Sequence, residues 1–133
     1  MTLNEYQEKA MSTCMGTCYN FSYMMLNLVG EVGELASKVA KGIRRGDLEI
    51  GKAGDDTNQL LMTDARITNI LNAEVMSNAY KAELMKEAGD VLWQLSGLCS
   101  TFGWSLEDIA QMNLAKLADR KKRGVIDGNG DNR

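Results

Sequence analysis

The sequence predicts an all-α protein, and three observations carry that prediction. Its 133 residues include no proline, the residue that most often interrupts a helix. Apolar residues recur mainly three and four positions apart, which is the spacing of one helical face and not the alternation of a strand. Capping motifs and glycines mark the ends of the segments. The length suits one domain covering residues 1–133.

The first predicted helix begins at a capping box formed by Thr2 and Glu5. Its apolar face continues through Ala10 to Cys14 and as far as Cys18, and we expect Gly16 to end or bend the helix.

The second predicted helix runs over residues 22–45 and stops at Gly46. A polar, glycine-rich loop follows it, and the weaker apolar pattern over residues 59–78 allows one short helix. We interpret residues 47–78 as an insertion between the main helices.

The third predicted helix covers residues 78–102 and is closed by Gly103. A fourth starts at a capping box of Ser105 with Asp108 and ends before Gly124, leaving 124–133 as a polar tail. Short connections between most of these helices favour an antiparallel four-helix bundle.

Near Trp93 the third helix is apolar on more than one face. A helix with two apolar faces must be covered twice, so we expect a homo-oligomer, either a homodimer or a homotetramer. The alternative is that Trp93 is simply a partly exposed aromatic residue.

Composition excludes several classes of function. The absence of histidine excludes Ser-His-Asp and Cys-His catalysis, di-iron sites built on ExxH, and the usual zinc sites. Cys14, Cys18 and Cys99 lack CxxC spacing, which favours buried free thiols over a redox or zinc site. The net charge of −3 gives no reason to expect a nucleic-acid polymer as partner. Lacking a signal-like start or a membrane span, the protein is expected to be cytoplasmic.

Two pairs of acids provide the strongest functional pattern. The stretch GEVGEL places Glu31 and Glu34 three residues apart, and EAGDV does the same for Glu87 and Asp90. Residues at this spacing share a helical face, so the pairs can face each other across an antiparallel bundle. Four negative charges together require a hard cation, and oxygen ligands without histidine or thiolate select Mg²⁺, with Mn²⁺ as a substitute.

Glycines beside these acids oppose helix formation, at a cost of about 1 kcal/mol each. Gly30, Gly33 and Gly89 would allow two helices to approach closely or leave room for an ion and a ligand. The alternative is that the acids are a solvated helical face, with Glu34 and Lys38 forming an ordinary ion pair.

The fourth helix adds an amide and two cations. Asn113, Lys116 and Arg120 follow one another at helical spacing, with Asn113 inside the apolar stripe. Such groups opposite an acidic metal cluster would suit a polyphosphate ligand. Alternatively, the two cations extend outward at the helix C-terminus and favour its dipole.

These motifs resemble the all-α MazG-like nucleoside triphosphate pyrophosphohydrolases, which are related to dimeric dUTPases. The resemblance covers residues 21–46 and 80–124, including KEAGDVLWQL and SLEDIAQMNLAKLADRKKRG. It implies a MazG-like bundle and a Mg²⁺-dependent hydrolase that cleaves (d)NTP to (d)NMP and pyrophosphate through water attack at the α-phosphorus. It assigns catalysis to Glu34 and Glu31, with Glu34 positioning or deprotonating the attacking water, and it implies side-chain contacts to the phosphates or the sugar. The implied residues are the metal ligands Glu31, Glu34, Glu87 and Asp90, and the substrate contacts Lys38, Asn113, Lys116 and Arg120.

Two other functions fit the same sequence. One is a catalytically silent, metal-binding helical dimer that acts as a regulatory or protein-interaction module. The other is a metal-independent bundle whose acids lie on the surface. Glu83, one turn before Glu87, could add charge behind the metal ligands or be solvated surface, and we expect solvated surface. The matched acids favour a metal site over the second alternative, and they do not separate the enzyme from the first.

Overall fold

The computed structural model describes residues 1–45 and 78–125, and these residues are helical with short connections. The helices are α1 (Leu3–Met11), a 3-10 helix (Gly16–Tyr19), α2 (Phe21–Arg45), α3 (Asn78–Thr101) and α4 (Leu106–Arg123). No strand occurs in these two ranges, which confirms the all-α prediction for them. The predicted insertion over 47–78, with its short helix, and the end of the tail lie outside the described residues. The antiparallel bundle and the homo-oligomer stay predictions.

Local signals place most helix ends correctly. Ser105 caps α4, its Oγ accepting from the Asp108 backbone N–H at 3.2 Å, and Gly124 ends that helix in the left-handed region with φ 68°. Gly103 follows α3 with the same φ of 68°, a conformation that other residues adopt only at a cost. These boundaries agree with the predicted ones to within about a residue, the usual uncertainty of helix ends.

The end of α1 differs from the prediction. Its start is the expected capping box, since Thr2 Oγ1 accepts from the Glu5 N–H and Glu5 Oε2 accepts from the Thr2 N–H. The helix ends at Met11, several residues before Gly16. Hydroxyls explain the early stop: Ser12 and Thr13 donate to the carbonyls of the last turn, at 2.6 and 2.7 Å. Short hydroxyl side chains compete with the helical ladder in this way.

The cysteine prediction is wrong for one pair. Cys14 and Cys18 form a disulfide with their Cα atoms 5.9 Å apart, because they lie in the connection after α1 and in the 3-10 helix and not on one continuous helix. Cys99 is the buried free thiol that the sequence predicts. Burial raises the pKa of its thiol, which keeps it in the unreactive protonated form.

The chain divides into two compact units, which we describe separately. One combines Met1–Met25 with Trp93–Arg133, and the other is Leu26–Leu92. The core of the first unit is small, and each of its helices contributes at least one side chain to it. Its buried apolar members are Ala10, Cys18, Met24, Leu98, Cys99 and Leu106.

The side-chain amide of Gln7 connects α1 to the end of α3 and the start of α4. Gln7 Nε2 donates to Ser100 Oγ at 3.0 Å and to the Trp104 carbonyl at 2.9 Å, while Gln7 Oε1 accepts from the Leu106 N–H at 2.9 Å. Each such bond contributes about 1 kcal/mol, and leaving the partners unpaired costs more. The short first helix is therefore held by specific polar contacts as well as by packing.

Trp93 packs against the end of α1 in the same unit. Its indole Nε1 donates to the Ala10 carbonyl at 3.1 Å and to Thr13 Oγ1 at 3.0 Å, and the residue is half-buried. The chain itself therefore covers part of the surface that we assigned to a neighbouring subunit. In the second unit, Leu26 and Val29 on α2 remain 72% and 66% exposed. None of the helices in the described ranges combines the length and apolarity required to cross a membrane.

Candidate metal centre

Three of the four predicted acids converge in the unit Leu26–Leu92. Glu31 and Glu34 lie on α2 and Glu87 lies on α3, and each offers a carboxylate oxygen within 4.8 Å of the other two. Helical spacing explains the first pair, because residues three apart share a face. The packing of α2 against α3 brings the third acid to them. Acids that are 53 positions apart in sequence, 87 minus 34, thus share one small volume.

We define Glu31, Glu34 and Glu87 as the acidic cluster, and its members differ in solvent exposure. Glu31 and Glu87 are half-buried, and Glu34 is exposed. The pKa of Glu31 is raised, first by desolvation and then by the charges of Glu34, Asp90 and Glu87. Asp90 is itself exposed and stands outside the trio, yet its charge acts on Glu31. Like charges held this close repel one another, and a bound divalent cation would relieve that repulsion.

Lys38 lies at the edge of the cluster and has partners that the sequence did not indicate. Its Nζ is 2.6 Å from Glu87 Oε1 and 3.1 Å from Glu83 Oε2. The ion pair between Lys38 and Glu34, which we gave as the alternative, is therefore not formed, and Lys38 binds two acids of α3 instead. The pKa of Lys38 is raised, chiefly by its hydrogen bond to Glu87 and then by that to Glu83.

Glu83 is the residue that sequence reasoning missed. We predicted it as a solvated acid, and its side chain is 48% exposed. It nevertheless pairs with two lysines, Lys38 and Lys86, the latter at 2.9 Å, and these contacts lower its pKa, Lys86 having the larger effect. A signal was present, because Glu83 precedes Glu87 by one helical turn and faces the same way.

Close packing of a tyrosine fixes α2 to α3 beside the cluster. The Tyr80 hydroxyl donates to the Lys38 carbonyl, and a Cβ added at Gly42 would collide with the Tyr80 hydroxyl and ring. Gly42 is buried. Only a residue without a side chain allows this approach.

The glycines next to the acids have a different environment. A Cβ at Gly30, Gly33 or Gly89 would meet nothing within 4 Å among the described residues. Among the described residues, close approach of a second helix is therefore not the reason for these glycines, contrary to the first of our two explanations. The second explanation, room for an ion and a ligand, requires open space beside the carboxylates, and the described residues leave that space open.

Replacing glycine with alanine at two positions of α2 should have opposite effects on stability. We expect Gly42→Ala to destabilise the protein by about 1–3 kcal/mol, since the methyl group displaces Tyr80 and breaks its bond to Lys38. Gly30→Ala is the matched control and should stabilise by about 0.5–1 kcal/mol through helix propensity. Urea unfolding of both variants measures these changes, and a stabilising Gly42→Ala would contradict the role given to Tyr80.

Three of the four predicted substrate contacts, Asn113, Lys116 and Arg120, belong to the other compact unit. Asn113 and Lys116 are exposed on α4, whereas Arg120 is 5% exposed. Leu117, which belongs to the same apolar stripe as Asn113, is also 43% exposed, so the described residues do not bury that face of α4. Our alternative, in which Arg120 extends outward at the helix C-terminus, is wrong, because Arg120 is buried. That Asn113, Lys116 and Arg120 bind substrate stays a prediction.

The donor set of the acidic cluster suits a hard divalent cation. Its members offer carboxylate oxygens alone, and the sequence contains no histidine. Such oxygen sites favour Mg²⁺ or Mn²⁺. Glu31, Glu34 and Glu87 could hold the ion, and Asp90 adds charge nearby.

Comparison with known proteins gives two matches. The family model described as the MazG nucleotide pyrophosphohydrolase domain matches residues 20–125, a range that contains all of the acids discussed above. The chain is also similar to the "Gene 37 protein" of Mycobacterium phage L5, with 33% identity over 140 aligned residues that cover the whole of both proteins. No solved structure matches the chain.

Proposed function

Since the chain belongs to the MazG nucleotide pyrophosphohydrolase family, we propose that it hydrolyses nucleoside triphosphates to nucleoside monophosphates and pyrophosphate in a Mg²⁺-dependent reaction. The supporting observation is the convergence of Glu31, Glu34 and Glu87 from two helices within 4.8 Å. Desolvation and then the charges of Glu34, Asp90 and Glu87 raise the pKa of Glu31, and a bound cation would offset the repulsion among these acids.

In this proposal the four acids share one task, and Glu34 has a second. Glu31, Glu34, Glu87 and Asp90 hold the cation, which neutralises charge on the phosphates and aligns them. Glu34 is the exposed member of the cluster, so a solvent water can reach it, and we assign it the role of general base. The assignment of phosphate binding to Asn113, Lys116 and Arg120 is part of the same proposal.

The proposed chemical step forms one bond to the α-phosphorus and breaks one. Water oxygen forms a bond to the α-phosphorus while the bond from that phosphorus to the bridging oxygen of the β-phosphate breaks. Glu34 takes the proton from water, and pyrophosphate leaves with the electron pair of the broken bond. Alignment and charge neutralisation supply most of the rate enhancement in such transfers.

Product analysis in ¹⁸O-labelled water tests this function. Incubation of the protein with each dNTP and MgCl₂ should give monophosphate and pyrophosphate in equal amounts, with the label in the monophosphate. EDTA should abolish the reaction, and excess Mg²⁺ should restore it. Release of orthophosphate and a diphosphate, label in pyrophosphate, or no turnover with any nucleotide would each contradict the proposal. Metal binding without turnover is the result expected for the silent alternative.

A further inference from the structure

An ammonium group holds one oxygen of a proposed metal ligand. Lys38 extends from α2 to α3, where its Nζ lies 2.6 Å from Glu87 Oε1 and 3.1 Å from Glu83 Oε2. A carboxylate has a second oxygen, which the bond to Lys38 leaves available to a cation. Charge-assisted bonds of this length are among the stronger polar contacts in proteins.

Lys38 is itself held from two sides. Its main-chain carbonyl accepts the Tyr80 hydroxyl, and its other partner, Glu83, is bound by Lys86 at 2.9 Å. The contacts therefore form a chain, Lys86 to Glu83 to Lys38 to Glu87, that ends at the acidic cluster. All of these residues belong to the unit Leu26–Leu92. Lys38 is half-buried, with 33% of its side chain exposed.

We propose that Lys38 is a positioning residue that fixes the Glu87 carboxylate in the orientation that receives the divalent cation. This inference rests on the proposed function, and it replaces a direct contact between Lys38 and substrate phosphate. Residues that hydrogen-bond to metal ligands reduce the freedom that the ligand loses on binding, and their removal weakens metal affinity by about 10- to 100-fold.

Two other roles for Lys38 predict different changes in metal affinity when the lysine is removed. If its charge merely neutralises the cluster, its removal leaves the acids more negative, and the cation should bind more tightly. If it binds phosphate, its removal should raise the KM for the nucleotide and leave metal affinity unchanged. A positioning role alone predicts weaker metal binding despite the loss of a repelling charge.

Calorimetric titration of the whole protein with Mn²⁺, without nucleotide, distinguishes these roles. We expect Lys38→Met to weaken Mn²⁺ binding about tenfold, and Lys38→Arg, which keeps a donor for Glu87, to recover part of the loss. Glu83→Gln should weaken binding in the same direction by a smaller factor, because it loosens Lys38. Lys41→Met, an exposed lysine of the same helix, is the matched control and should bind like wild type.

Unchanged or tighter Mn²⁺ binding by Lys38→Met would overturn the inference. So would a rise in KM for the nucleotide at saturating Mg²⁺ with no change in metal affinity. Circular dichroism confirms that each variant is folded at the titration temperature. Failure of the proposed function looks different, since the wild-type protein would then turn over no nucleotide whatever Lys38→Met does to Mn²⁺ binding.

Discussion

Replacement of Glu34 with glutamine should lower kcat by about 1,000-fold, the middle of the range attributed to a general base. Glutamine keeps the size of the side chain and one carbonyl oxygen that can still contact the cation, yet it cannot accept the proton of the attacking water. Nucleotide binding should change far less than kcat. Pyrophosphate release at saturating Mg²⁺ and saturating nucleotide measures the effect directly.

The control for this variant is Glu8→Gln, which removes the same charge from an exposed glutamate on α1 that is not part of the cluster. It should retain wild-type kcat. A Glu34→Gln variant with kcat within about tenfold of wild type would remove Glu34 as the base, because a proton acceptor of that kind contributes at least about 100-fold. The base would then have to be sought among Glu31, Glu87 and Asp90.

Helix boundaries were predictable where one residue decides them locally. Gly103 and Gly124 adopt positive φ, which glycine tolerates best, and Ser105 caps α4 through its own side chain. The end of α1 was not predictable from apolar spacing, because the hydroxyls of Ser12 and Thr13 satisfy the last carbonyls while the apolar pattern continues. The Cys14–Cys18 disulfide follows from that early end, which places both residues outside a regular helix.

The candidate site also has a part that local sequence predicts and a part that it does not. Spacing along α2 and α3 is enough to place two acids on each helical face, so the pairs could be found in the sequence. The pairing of Lys38 with Glu87 and Glu83 depends on the register between two helices. That register is set in part by Tyr80 fitting over Gly42, a contact between residues 38 positions apart that no local pattern specifies.

The second large effect is expected for the Glu31→Gln variant, and this effect has two parts. Glu31→Gln should weaken Mg²⁺ binding by about 100-fold, since a ligand should contribute at least as much as the groups that orient it. Without divalent cation the same variant should melt at a higher temperature than wild type, because it removes one of the repelling charges that lie within 4.8 Å of one another. Calorimetry and thermal melts with and without Mg²⁺ measure both parts.

The pH dependence of the difference in melting temperature gives a further check on its cause. Desolvation, followed by the charges of Glu34, Asp90 and Glu87, raises the pKa of Glu31 in the folded protein. Below its ordinary pKa the carboxyl is neutral in the folded and unfolded chains, so metal-free wild type and Glu31→Gln should melt alike. As pH rises through the raised pKa, the folded wild type loses stability that the variant keeps, and the difference should grow and then level off. A variant less stable than wild type at neutral pH without metal would mean that Glu31 is held by favourable contacts, and a cation would no longer be needed to explain why these acids converge.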